Sequence, residues 1–263
     1  MTMLEGDDAR DPRHVRVRRE ATILDREVGG VAWRALLGEA VGCAMLLIVV
    51  VGSGWAAQLL SPGDVGLELL ENAAAIGAGL FVIINIIGPV SGAHLNPVVS
   101  LVDAWFGSCT WFRAFLYLPF QFVGCIIGAV VANLMFGHSW VTWSTHHRAS
   151  APHFFSEVVA TAGLIFLVFA LQRNGRRTLS AACVGLYIFA ACFATSSATF
   201  ANPAVTVARA FTNSFTGIAP SSLPVYVAGQ LLGAVGGAGL TFLLFPRADK
   251  TAPSTQGRGS ALP

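Results

Sequence analysis

The sequence predicts an all-α membrane protein: six transmembrane helices plus two re-entrant half-helices in an inverted 3+3 repeat. Three observations carry that prediction. The first is charge. Only 11% of the 263 residues are charged, against about 25% in a typical soluble domain, and the 30 charges are crowded toward the termini. Residues 31–246 carry only 13 of them, too few to coat a soluble fold of that size. The second is hydropathy: 54% of the chain is hydrophobic, the mean hydropathy is +0.66, and the apolar residues gather into span-length runs. The third is that the chain repeats itself. This composition excludes a soluble enzyme, a nucleic-acid binder and a secreted disulfide scaffold.

A helix needs roughly 20 mostly apolar residues to cross a bilayer. Six runs meet that need, at about 33–56, 70–89, 113–136, 153–172, 178–198 and 223–245. Two further apolar stretches, after Asn96 and after Asn202, run about ten residues each, a length suited to a half-helix that enters and leaves by the same face. The predicted organisation is a tail over 1–32, a channel domain over 33–246 and a tail over 247–263. Within the domain, repeat one covers about 33–137 and repeat two about 153–246. The first 30 residues hold six Arg and seven Asp or Glu and no hydrophobic run. They read as a solvated, disordered extension rather than a signal peptide. Placing the N-terminus inside puts 14 Lys and Arg on the inner side and only Arg148 and Arg209 on the outer. Both termini are therefore expected in the cytoplasm.

The halves match in detail. Residues 72–102 and 178–208 are uncharged runs of equal length. Each contains an Asn-Pro pair at the same offset and is followed by a charge seven places after the Asn, Asp103 in one half and Arg209 in the other. Glu39 opens span one and Glu157 opens span four. Gln121-x-x-Gly124-x-x-x-Gly128 lies in span three, and Gln230-x-x-Gly233-x-x-x-Gly237 in span six. Three spans per half is an odd number, so the second half enters the membrane upside down. The two Asn-Pro segments then dip in from opposite sides. Irregular backbone at that depth is tolerated only inside protein or along a water-filled cavity, so a pore lined by both segments is expected.

Asn is a strong N-cap residue and Pro is favoured at the first helical position. Asn96-Pro97-Val98 and Asn202-Pro203-Ala204 therefore read as helix starts. A capping Asn accepts backbone N–H bonds through its oxygen and keeps its NH₂ as a donor. Two such caps meeting mid-membrane would offer donors to a passing oxygen. Each helix N-terminus also carries a partial positive charge of about +0.5, which disfavours cations and tolerates neutral solutes.

These residues, above all Ser91-Gly92-Ala93-His94-Leu95-Asn96-Pro97-Val98 and Ala201-Asn202-Pro203-Ala204, resemble the major intrinsic protein superfamily, the aquaporins and aquaglyceroporins, over about residues 33–245. The resemblance implies a homotetramer with one pore per protomer. It also implies a selectivity filter at Ile76, Ala190, Thr199 and Val205, carried over by offset from the two motifs. Most of the family has Arg where this chain has Val205. A filter without formal charge or a large aromatic ring implies a wider, more apolar opening. Such an opening suits glycerol-like polyols, arsenite and antimonite as neutral hydroxides, and water. Val at that position resembles the bacterial metalloid-channel branch, which implies a bacterial inner membrane.

The remaining candidates have two readings each. Glu39 and Glu157 brace the re-entrant loops or form a proton relay; a carboxylate in a span costs about 2.5–3.5 kcal/mol and needs partners. Gln121 and Gln230 orient backbone or line helix contacts. His94 touches a pore mouth or braces its loop. Arg209 shares a half-helix face with Val205 and reaches the vestibule or binds loop carbonyls. Cys43, Cys109, Cys125, Cys183 and Cys192 show no paired or metal-type spacing. His138, His146, His147 and His153 form a loop cluster read as solvated rather than as a metal site. No catalytic constellation, cofactor motif or metal motif is present, and the expected partners are lipid, small neutral solutes and copies of the same chain. The competing functions are a water-selective pore and an ion-coupled secondary transporter.

Overall fold

A computed structural model describes residues 32–246 of the chain. The predicted tail over 247–263, and that over 1–32 apart from residue 32, fall outside the described residues. The described chain is all helix and loop. Six helices are long and apolar enough to cross a membrane. They are α1 (Ala32–Leu60), α2 (Val65–Ser91), α4 (Trp111–Met135), α5 (Ala151–Arg173), α6 (Ser180–Ala194) and α8 (Leu223–Leu244). Two short helices stand between them, α3 (Pro97–Trp105) and α7 (Pro203–Ala208). The second is shorter than expected, six residues, and continues into a 3₁₀ turn over Arg209–Phe211.

Local chemistry sets the helix boundaries. Asp64, Thr110 and Ser150 cap α2, α4 and α5 by accepting the backbone N–H of Leu67, Arg113 and His153, the oxygen-to-N–H contact that makes such residues good N-caps. One boundary departs from expectation. The run 178–198 is not one span, because α6 stops at Ala194 and Thr195 turns extended (φ −128°, ψ 142°). The Thr195 hydroxyl binds the Ala191 carbonyl at 2.8 Å and meets the Thr199 hydroxyl at 2.8 Å. Residues 195–201 are therefore the descending arm of the second re-entrant loop, uncharged but rich in hydroxyl side chains.

The two halves pack alike. A Cβ on Gly124 or Gly128 of α4 would run into the Ala40 or Ala44 carbonyl of α1. A Cβ on Gly233 or Gly237 of α8 would run into the Val158 or Ala162 carbonyl of α5. Only glycine lets these backbones touch, which is how apolar helices associate where no hydrophobic force separates protein from lipid. Gly77 of α2 and Gly185 of α6 face each other's carbonyls in the same way and join the halves. Each half-helix also rests on the opposite repeat: Val98, Val99 and Val102 of α3 pack on Ile165 and Phe169 of α5 and on Ala234 and Ala238 of α8. The outer surface is apolar, with Leu59 at 71%, Leu186 at 67% and Phe242 at 66% exposure. Water would not tolerate so much contiguous apolar surface, and lipid does.

Candidate functional site

The two Asn-Pro segments meet inside the bundle. Asn96 and Asn202 are both extended (φ −158° and −157°), and each caps its half-helix. Asn96 Oδ1 accepts the Val98 N–H at 3.1 Å. Asn202 Oδ1 accepts those of Ala204 at 3.0 Å and Val205 at 3.3 Å. The amide groups are not wholly free, as capping alone suggested. Asn96 Nδ2 donates to the Ala201 carbonyl at 2.8 Å, and Asn202 Nδ2 donates to the Leu95 carbonyl at 2.7 Å. Each asparagine thus spends one N–H cross-linking the repeats. An NH₂ has two donors, so one per asparagine remains beside the cavity that both residues line.

The loops that deliver these asparagines are strained alike. Leu95 and Ala201, just before each Asn, sit at φ 51° and 49°. Ala93 and Thr199, two residues earlier, sit at 49° and 47°. Left-handed backbone at non-glycine residues costs on the order of 1 kcal/mol each and persists only where surrounding bonds hold it. The bonds are present. Glu39, fully buried in α1, accepts the Ser91 hydroxyl at 2.5 Å, the backbone N–H of His94 at 3.0 Å and of Leu95 at 2.7 Å, and Gln121 Nε2 at 2.8 Å. Glu157, fully buried in α5, accepts the N–H of Phe200 at 3.0 Å and of Ala201 at 2.9 Å, and Gln230 Nε2 at 2.7 Å. The glutamines also reach the half-helices, Gln121 to the Ser100 hydroxyl at 3.0 Å and Gln230 to that of Thr206 at 2.7 Å. Neither carboxylate lines the cavity.

A cavity of about 600 Å³ runs along the asparagines from Asp103, His94 and Arg177 at one end to Phe200 and Arg209 at the other. Three of the four offset-derived filter residues, Ile76, Thr199 and Val205, line it. Ala190 does not, and this corrects the carried-over position. It lies on the outward stripe of α6 with Leu186 and Phe193. Ile188, two residues earlier and so about 200° round the helix, lines the cavity instead. Pro97, Val98, Pro203 and Ala204 are buried behind the asparagines and do not line the cavity.

His94 lines the cavity and also bonds within its loop. Its Nδ1 lies 3.0 Å from the Ser100 hydroxyl and its Nε2 3.5 Å from Asp103 Oδ2. Arg209 combines its two readings as well. Its Nε donates to the Thr216 carbonyl, its guanidinium lies 3.3 Å from the centre of the Phe200 ring, and it borders the cavity. Ser100, Thr206, Ile188 and Phe200 were not singled out from the sequence. Ser100 and Thr206 hold matched places four residues after each Asn, and Phe200 is the repeat-two match of His94; these are signals the repeat already contained. Among the loop histidines, His138 stacks on Trp55 at 3.7 Å between ring centres, and His147 and His153 meet Ser221 and Ser150. No group of three potential metal ligands exists among the described residues, and no disulfide joins Cys43, Cys125, Cys183 and Cys192.

Comparison with known proteins agrees with this geometry. The family "Major intrinsic protein" matches residues 29–201 and 180–260. The aquaglyceroporin AqpS of Rhizobium meliloti (strain 1021) is 44% identical over 202 residues, covering 77% of this chain and 86% of that protein. Human aquaporin-9 is 30% identical over 235 residues, covering 75% and 78%. The X-ray structure of the aquaglyceroporin from Plasmodium falciparum shares the fold, with TM-score 0.61 at 20% identity, covering 79% of this chain and 94% of that one. Paired half-helices meeting at two asparagines, inside a glycine-packed inverted repeat, are thus accompanied by similarity along most of the chain: the protein belongs to the Major intrinsic protein family and is an integral multi-pass channel for small solutes, not an enzyme.

Proposed function

We propose that the chain is a passive channel for small uncharged solutes: glycerol-like polyols, arsenite and antimonite as neutral hydroxides, and water. The observation that carries this reading is the neutral lining of the cavity, to which Ile76, Ile188, Thr199 and Val205 contribute one hydroxyl and no charge. Apolar walls accept the carbon or metalloid face of a trihydroxy solute, while the Thr199 hydroxyl and the spare asparagine N–H groups take its oxygens. The similarity to a protein named as an aquaglyceroporin supports the polyol assignment. The family resemblance supports a homotetramer. The Lys and Arg distribution supports cytoplasmic termini, in a bacterial inner membrane. Glu39, Glu157, Gln121 and Gln230 act as braces in this reading, because the carboxylates are spent on loop N–H groups and the amides on those carboxylates and the Ser100 and Thr206 hydroxyls, away from the cavity.

A water-selective pore is the second reading, and the presence of Arg209 in the cavity is the observation that favours it. Stopped-flow light scattering on proteoliposomes separates the two, using water, glycerol and arsenite gradients with wild type and Val205→Arg. The polyol reading expects wild type to pass glycerol and arsenite, and the variant to lose both while keeping water. Wild type that passes water alone overturns it.

A further inference from the structure

We propose that Arg209, clamped on the face of Phe200, is the charge that keeps cations and protons out of this pore. The inference rests on the channel reading above but not on which neutral solute is carried.

Arg209 follows Val205 by one turn, and its backbone N–H donates to the Val205 carbonyl. It therefore stands one turn further along the half-helix from Asn202 than Val205 does. Its side chain is fixed from two directions, by the Thr216 carbonyl on Nε and by the Phe200 ring beneath the guanidinium. Its own carbonyl accepts the Ile218 N–H at 3.2 Å. These bonds leave the two terminal nitrogens without a protein acceptor among the described residues, and Arg209 is one of the residues that line the cavity. No Asp or Glu pairs with Arg209 among the described residues. Glu157, on the neighbouring α5, is saturated by three other donors. Arg148 lies by the same ring at 5.9 Å and adds positive charge rather than cancelling it.

A guanidinium with only 5% exposure and no counter-ion is costly unless it is solvated. Arg209 lines the cavity, so its field acts on whatever passes. The other end of the pore shows the contrast. Asp103 occupies the matched position of repeat one, with His94, the match of Phe200, at 3.5 Å and Arg177 lining the same end of the cavity. One mouth therefore sets a carboxylate beside its basic groups, and the other holds a cation with no carboxylate partner among the described residues. A fixed positive charge in a narrow, low-dielectric passage raises the barrier for cations and leaves that for neutral solutes little changed.

The test uses proteoliposomes with an internal pH dye and an imposed potassium diffusion potential, with glycerol and water flux measured on the same vesicles. The proteins are wild type, Arg209→Leu, Arg209→Lys, and the double variant Val205→Arg/Arg209→Leu, which moves the charge one turn inward. Expected results are a tight wild type, a rise of about tenfold or more in proton leak for Arg209→Leu with neutral-solute flux retained, and restored tightness in Arg209→Lys and the double variant. Should Arg209→Leu fail to assemble, the two charge-retaining variants decide: folded and tight supports the proposal, folded and leaky overturns it, and failure of both to fold makes Arg209 a structural anchor only and overturns it. An Arg209→Leu channel that conducts solute and stays proton-tight also overturns it. The channel reading fails by a different sign, namely no neutral flux in wild type.

Discussion

Replacing Glu157 with Gln exchanges one heavy atom, an oxygen for an NH₂ nitrogen, and separates a brace from a proton relay. In wild type the carboxylate takes three donors, Phe200 N–H on Oε1 and Ala201 N–H with Gln230 Nε2 on Oε2. A glutamine that keeps its oxygen at the Oε2 place turns its NH₂ toward the Phe200 N–H. One hydrogen bond is lost, two donors face each other, and the other two bonds fall from charge-assisted to neutral strength. At about 1.5–3 kcal/mol for a bond to a charged group and about 1 kcal/mol for a neutral one, the gross loss is roughly 3–6 kcal/mol. Removing a buried charge also relieves its desolvation, which leaves a net loss of about 2–4 kcal/mol. The left-handed backbone at Thr199 and Ala201 loses the bond to the Phe200 N–H between them and keeps a weakened one at Ala201. The expected outcome is a Tm lower by on the order of 10 °C in detergent, read by size-exclusion thermostability, with reduced glycerol flux that does not depend on a proton gradient. An unchanged Tm together with loss of gradient-driven uptake would refute the brace and favour a coupled carrier. Unchanged Tm and flux together would show that the three bonds contribute nothing measurable.

Three further outcomes follow from the same geometry. Asn96→Asp keeps an oxygen for the Val98 N–H but removes the donor to Ala201 and points a carboxylate at a carbonyl; stability should fall by about 1–3 kcal/mol, and cation leak should rise, read by Tm and by dye quenching in vesicles. Gly233→Val drives a side chain into the Val158 carbonyl, so α5 and α8 must separate at a cost of about 1–3 kcal/mol or more; yield of monodisperse protein should drop, whereas Gly239→Val, with nothing near its Cβ, should behave as wild type. For orientation, Ala149→Cys and Asn174→Cys lie at exposed loop positions on opposite faces. In a background with Cys109 and Cys183 changed to Ser, an impermeant maleimide should label the first in intact spheroplasts and the second only after permeabilisation. The reverse pattern would invert the assignment of faces.

Much of the fold was legible in the sequence, for definite physical reasons. A bilayer demands long apolar helices with few charges, so six spans stand out by length and composition. Duplication left matched residues at matched offsets, so Glu39 with Glu157, Gln121 with Gln230, and the two Asn-Pro pairs announce an inverted repeat before any coordinates. What remained hidden depended on rotation and direction rather than identity. A count back from Asn202 reaches Ala190, but the helix turns that residue outward and Ile188 inward, because the loop between α6 and Asn202 fixes the phase. Capping chemistry foretold a donor on each asparagine, but only the meeting of the two repeats decided that one N–H of each would be bound to the other's backbone. The left-handed residues Leu95 and Ala201 carry no glycine to mark them; their conformation is imposed by carboxylates on helices distant in sequence. Arg209 reads from sequence as either a loop anchor or a pore residue. Only the tertiary structure, by setting Phe200 and the Thr216 carbonyl around it, made it both.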